Sequence, residues 1–149
     1  MWRRAVPADD GMIVSMCMAL NSEDPGYVAV SSEQVVRTLV KLREEPIRGQ
    51  AVVCEVDAKV VGYALLISFW SNEMGGEVLY IDELFIEENY RGKGLGTDLI
   101  DRLAIRDTSL WSGKVAALAL EVSPQNVRAK ALYERLGFRG GNLTLSRQL

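Results

Sequence analysis

The sequence predicts a mixed α/β (α+β) domain with helices on both faces of one sheet, and three observations carry that expectation. Segments with helical apolar spacing alternate with β-branched-rich runs in the order β-αα-βββ-α-β-α-β. The 149 residues are 48% hydrophobic and 25% charged, the balance of an ordinary globular chain long enough to bury a core without metal or disulfide staples. No repeat, low-complexity tract or Pro/Ser-rich linker interrupts the chain, so residues 1–149 are read as a single domain.

Trp2 to Val6 is a short first strand. Asp9 or Asp10 can cap a helix reaching about Leu20, on which Ile13, Met16, Cys17 and Leu20 recur at i, i+3, i+4 and i+7. Asn21 to Val30, with Asp24, Pro25 and Gly26, reads as a loop. Ser31 with Gln34 three residues on is a capping-box pattern, opening a helix to about Glu44 with Val35, Leu39 and Leu42 on one face before Pro46. Ala51 to Val56 and Lys59 to Trp70 flank a turn at Asp57-Ala58 and form an antiparallel hairpin. Gly75-Gly76 closes a loop, and Val78 to Ile86 is a third long apolar run. Leu95 to about Asp107 is helical, Val115 to Val122 is a strand, and Asn126 to Leu136 is a short helix with Ala129, Leu132, Tyr133 and Leu136 on one face. Phe138 and Leu143 to Leu149 supply a terminal strand or two.

Composition excludes several chemistries. The chain has no histidine, which removes Ser-His-Asp and Cys-His nucleophile systems, HExxH zinc sites and histidine bases. Cys17 and Cys54 form no CxxC motif, so a structural zinc site is not expected and both read as small core residues of a cytoplasmic protein. The apolar run Val60 to Trp70 is far short of the ~20 residues of a membrane span. Net charge is −3 with dispersed Lys and Arg, so neither nucleic acid nor membrane is an expected partner and a cationic small molecule suits the balance better.

The most informative stretch is Ile86-Glu87-Glu88-Asn89-Tyr90-Arg91-Gly92-Lys93-Gly94-Leu95-Gly96, which joins a strand to a helix. Its three alternating glycines let the backbone approach a ligand closely, and the unpaired amides and positive dipole end of the following helix face an anion. Neither Walker A nor the Rossmann fingerprint fits, because Lys93 and Gly96 stand in the wrong places. Arg91-x-x-Gly94-x-Gly96 resembles the Arg/Gln-x-x-Gly-x-Gly/Ala signature of the Gcn5-related N-acetyltransferase superfamily. A second block agrees: Asn126, then Ala129, then Tyr133-Glu134-Arg135-Leu136-Gly137-Phe138 resembles that superfamily's Asn, short helix and Tyr-x-x-x-Gly-Phe. The resemblance covers essentially the whole chain and implies a mixed, mostly antiparallel central sheet of six to seven strands flanked by about four helices.

It also implies roles. Leu84, Phe85 and Ile86 would offer backbone groups to the pantetheine arm of acetyl-coenzyme A, and Arg91, Gly92, Lys93, Gly94, Leu95 and Gly96 would hold its pyrophosphate. Asn126 matches a pantetheine ligand and is equally a sound N-cap. Tyr133 matches the tyrosine that protonates the departing thiolate, a task suited to a phenol that stays protonated at pH 7.

The acceptor arrives as an ammonium ion and needs a base, for which Glu121, Asp82 and Glu83 are the strand carboxylates available. Strand alternation places Asp82 and Glu83 on opposite faces, so only one is expected to see the acceptor. Cys17, on an apolar helix face with no evident base nearby, is not expected to carry an acyl group. The loop from Phe69 to Glu77, with Trp70 and Glu73, and the loop around Tyr27 would line the acceptor pocket. The implied activity is metal-free acetyl transfer from acetyl-coenzyme A to a small cationic amine such as a polyamine, diamine or aminoglycoside. Acetylation of a protein N-terminus or lysine, and a non-catalytic acetyl-coenzyme A-binding module, remain open, as does a homodimer.

Overall fold

Trp2, almost completely buried, ties the first strand to the rest of the chain: its indole donates to the Leu95 carbonyl at 2.8 Å, and its own carbonyl accepts from Arg102 at 2.9 Å. The computed structural model describes residues 1–26, 28–140, 147 and 148. Strands β1 (Trp2–Arg4), β2 (Gly49–Val56), β3 (Lys59–Ser71) and β4 (Gly76–Ile86) form an antiparallel meander, and β5 (Val115–Leu120) joins the far edge parallel to β4. The described residues thus form a five-stranded sheet. The expected terminal strand or two falls on residues 138–149, of which 141–146 and 149 lie outside the described residues; Phe138 is not in a strand and packs against the core.

Helices α1 (Asp10–Glu23) and α2 (Ser32–Glu44) cover one face, and α3 (Leu95–Ala104) and α4 (Val127–Arg135) lie on the other side. The core beneath α1 and α2 gathers Ile13, Met16, Leu39, Val53, Tyr63 and Phe85. Its counterpart gathers Trp2, Val52, Leu66, Leu79, Leu99 and Leu110. Burial of apolar surface on both sides of one sheet explains why β2 and β3 read as nearly continuous apolar runs rather than alternating ones.

Local chemistry sets most element ends. At α2 the expected capping box forms: the Gln34 amide donates to Ser31 Oγ at 3.3 Å and the Ser31 amide to Gln34 Oε1 at 2.7 Å. Asp57 and Ala58 both take positive φ, 50° and 60°, the two-residue turn whose twist matches the hairpin strands. Helix α1 runs three residues past the expected Leu20 because Asn21 and Ser22 bond the Cys17 and Met18 carbonyls instead of breaking the helix. Helix α3 stops before the expected Asp107, at a left-handed Arg106 (φ 61°) whose amide bonds back to Leu103.

Asp9 departs from its expected role. It stands at the N-cap position of α1, but its buried carboxylate accepts from Arg3 at 2.8 and 3.0 Å and from the Val6 amide at 2.8 Å, with no capping bond to the helix. The Arg3 guanidinium holds this carboxyl below its usual value of 3.8. Among the described residues no helix is long and apolar enough to cross a membrane.

A carboxylate stabilised in this way contributes stability above its ordinary titration range and loses it as pH falls through the lowered native value. Asp9→Asn is therefore expected to cost about 1 to 2 kcal/mol at pH 7. In urea unfolding followed by circular dichroism, the gap to the wild type should narrow as pH falls below about 4.

Candidate active site

The site begins where two strands part. β4 and β5 pair in parallel from Glu77 opposite Val115 to Ile81 opposite Leu120, and there the pairing ends. β4 continues to Ile86, so Leu84, Phe85 and Ile86 present an edge with no strand beside it among the described residues. The separation coincides with a β-bulge. Leu66 lies opposite Ile81 and Leu65 opposite Glu83, leaving Asp82 as an extra residue. Ile81 and Leu84 both pack on the α3 and α4 side, so the two acids between them lie together on the opposite face. The alternation expected from sequence is overturned here, because a bulge shifts the phase of every side chain beyond it.

A cleft of about 460 Å³ opens along the free edge. Its floor is Leu84, Phe85 and Ile86; its walls are Leu20 and Glu23 of α1, Tyr90, Arg91, Gly92 and Gly94 with the first turn of α3, and Asn126, Arg128, Ala129, Leu132 and Arg135 around α4. Gly92 and Gly94 take φ of 76° and 80°, and Gly94 is the N-cap of α3 with no side chain satisfying the first-turn amides. Those amides and the helix dipole make an anion cradle at the cleft's edge. Arg128 overhangs it: a Cβ placed on Gly92 would stand 3.5 Å from Arg128 Nη2.

Arg91 serves as a clasp. Its Nε donates to the Ile86 carbonyl at 2.7 Å, its Nη2 reaches both Glu23 carboxylate oxygens at 3.0 and 2.8 Å, and its guanidinium lies over the Phe85 ring at 5.3 Å. Lys93 lies over the Tyr90 ring at 4.9 Å and does not line the cleft. Arg128 and Arg135 do line it and were not anticipated, although Arg128, Leu132 and Arg135 share one helix face at i, i+4 and i+7.

Charge couples Asp82 to Glu121 and Glu83 to Asp82; none of the three lines the cleft, and Glu83 is the strand neighbour of cleft-lining Leu84. Burial and the charge of Glu121 push the Asp82 carboxyl up although its surface reaches solvent. Glu83 is pushed up by burial and by Asp82, against lowering hydrogen bonds from Tyr63 and Cys17. Burial and the Glu121 and Asp82 charges raise the Tyr80 phenol in the same group. At Asp82 and Glu83 burial and a neighbouring like charge both oppose ionisation, the condition that moves a carboxyl toward useful basicity.

Asn126 caps α4, its Oδ1 accepting from the Ala129 amide at 3.1 Å, and also lines the cleft. Tyr133 is half-buried against Phe138, ring centres 5.9 Å apart, and burial raises its phenol. It lies one residue past cleft-lining Leu132 and does not itself line the cleft. Cys17 has a carboxylate neighbour after all: its Sγ lies 3.6 and 3.8 Å from the Glu83 oxygens. Burial nevertheless raises the thiol to about 11, so it remains protonated at neutral pH. The stretch expected to form a loop from Phe69 to Glu77 is largely hairpin, since β3 runs to Ser71 and β4 starts at Gly76. Its tip is roughly 25 Å along β4 from the cleft floor, at the far end of the sheet. Tyr27 lies outside the described residues.

Residues 14–138 match the Acetyltransferase (GNAT) family, and the chain belongs to that family. The family is one of acyltransferases that use acetyl-coenzyme A as cosubstrate. Among its relatives, an uncharacterised N-acetyltransferase of Methanocaldococcus jannaschii is 38% identical over 87 residues, 58% of this chain and 37% of that one. The spermine/spermidine N(1)-acetyltransferase of Bacillus subtilis is 32% identical over 77 residues, 52% of this chain and 49% of that one. Each match thus spans less than half of the relative's length. A possible acetyltransferase from Clostridium difficile has the same fold, with a TM-score of 0.78 at 23% identity over 100% of this chain and 96% of that one.

A Cβ on Gly94 would meet nothing within 4 Å, so the cost of Gly94→Ala is purely that of a left-handed backbone. Chemical denaturation is expected to show a loss of about 1 to 2 kcal/mol.

Proposed function

We propose that this chain moves the acetyl group of acetyl-coenzyme A directly to a primary amine of a small cationic acceptor. The observation that carries the reading is the charge-coupled group of Asp82, Glu83 and Glu121 beside a cleft whose outer end is an anion cradle. The cradle suits a phosphate-bearing thioester, and the acids would attract a cation and accept its proton. That a relative is named for spermine and spermidine supports the same acceptor class.

Acetyl-coenzyme A supplies an activated acyl group. The backbone edge of Leu84, Phe85 and Ile86 would hold its amide-bearing arm as an added strand. The amides from Gly92 to Thr97, with Arg128, would hold its pyrophosphate, while the Arg91–Glu23 clasp keeps the loop against α1. Asn126, whose Oδ1 is committed to the helix, would offer its amide nitrogen to the ligand. A carboxylate of the Asp82, Glu83 and Glu121 group removes the ammonium proton, and its nitrogen lone pair becomes free to attack. Tyr133 protonates the thiolate that leaves, in a pairing of base and acid held in place before reaction.

The test is thiol release from acetyl-coenzyme A across polyamines, diamines, aminoglycosides, amino acids and short peptides. Turnover is expected with small polycationic amines, and Tyr133→Phe should lower kcat by about 10- to 100-fold with little change in KM. Because a carboxylate base works ionised and the Asp82 and Glu83 carboxyls are raised, kcat/KM should climb as pH rises through the titration of either one. Preference for peptides over every small amine would overturn the acceptor class, and binding without turnover of any amine would leave a ligand-binding module.

A further inference from the structure

The core beneath α1 holds a polar cluster that apolar packing does not require. Tyr63 has no exposed surface, and its ring packs on Phe85 with centres 6.3 Å apart, a contact that phenylalanine would make equally well. Its hydroxyl donates to Glu83 Oε2 at 2.8 Å. The register explains the meeting: Tyr63 lies opposite Phe85 and Leu65 opposite Glu83, so Tyr63 and Glu83 are diagonal neighbours on one face. From α1, the Cys17 thiol leans on the same oxygen at 3.6 Å and lies farther, at 3.8 Å, from Oε1, and Asn21 Nδ2 in turn lies 3.6 Å from Cys17 Sγ. No cation pairs with Glu83 among the described residues. Replacing a buried hydroxyl–carboxylate pair by apolar groups of the same shape is often neutral or stabilising, so stability does not account for the pair and its value lies in where it holds the carboxylate.

We propose that Tyr63 is a positioning residue that fixes Oε2 of Glu83 and leaves Oε1 to take the proton of the acceptor's ammonium group. The inference rests on the reading of the acid group as the base and names Glu83 as the member that does the work. In the step, one N–H bond of the ammonium breaks as an O–H bond forms at Oε1; the nitrogen keeps the electron pair, and the proton later leaves the neutral carboxyl for water. The titratable groups facing Glu83 are Tyr63 on β3, Cys17 on α1 and Asp82 beside it on β4. Burial and Asp82 push the carboxyl up, and Tyr63 opposes them by favouring the ionised form. Without the Tyr63 hydroxyl the carboxyl should hold its proton to higher pH.

Carbon-13 titration of the Glu83 side chain in the full chain, wild type and Tyr63→Phe, reads this without any need for turnover. The midpoint is expected to rise by about one pH unit in the variant. The acid limb of kcat/KM should move by the same amount, while KM for acetyl-coenzyme A stays put. An unmoved Glu83 midpoint would overturn the control by Tyr63 and leave the acid-group reading intact. A midpoint that moves without the acid limb would overturn Glu83 as the proton acceptor and return that role to Asp82 or Glu121. Should Tyr63→Phe not fold, Glu83→Gln retains an oxygen for the Tyr63 hydroxyl, and it must erase the acid limb; a limb still present overturns the proposal.

Discussion

The parting of β4 and β5 at the Asp82 bulge is the constraint on which the rest of the site depends. Parallel pairing that continued to Ile86 would consume the backbone groups of Leu84, Phe85 and Ile86 and close the cleft. The extra residue ends the pairing and shifts the side-chain phase, so one irregularity both opens the edge and moves Glu83 to the face where Tyr63 and Cys17 wait. Such a break lowers sheet stability locally. It is offset by the two cores that flank β3 and β4.

Charge is distributed along the cleft in the same economical way. Its outer end carries uncapped amides, left-handed glycines and Arg128, all favourable to an anion. Beside it are three charge-coupled carboxylates without arginine or lysine partners among the described residues. Most other acids are either paired, as Asp9 is with Arg3, Asp10 with Arg43, Glu87 with Lys59 and Asp107 with Arg102, or exposed, as Glu33, Asp98 and Asp101 are. The contrast separates structural acids from those held at a cost in desolvation, and it is the electrostatic reason to look for chemistry at Asp82 and Glu83.

Much of this was legible in the chain. Helical spacing located four helices, the Ser31/Gln34 capping box located the start of α2, and the Arg91-x-x-Gly94-x-Gly96 stretch located the turn that opens α3. What escaped depends on partners distant in sequence. A bulge exists only relative to the strand opposite, so no local pattern announced that Asp82 and Glu83 share a face. The bond from Tyr63 to Glu83 needs the β3–β4 register, and the Asp9–Arg3 pair competes with a cap that local sequence favours. Arg128 and Arg135 have no local signal in the sequence, because the cleft they line is built from three other segments.

Amide hydrogen exchange with and without acetyl-coenzyme A addresses the opened edge most directly. Slowed exchange confined to Leu84–Ile86 and Gly92–Thr97, with β2 and β3 unchanged, is the expected result. Unchanged exchange on the β4 edge, with protection arising elsewhere in a chain that binds the thioester, would contradict the central role given to the separation of β4 and β5.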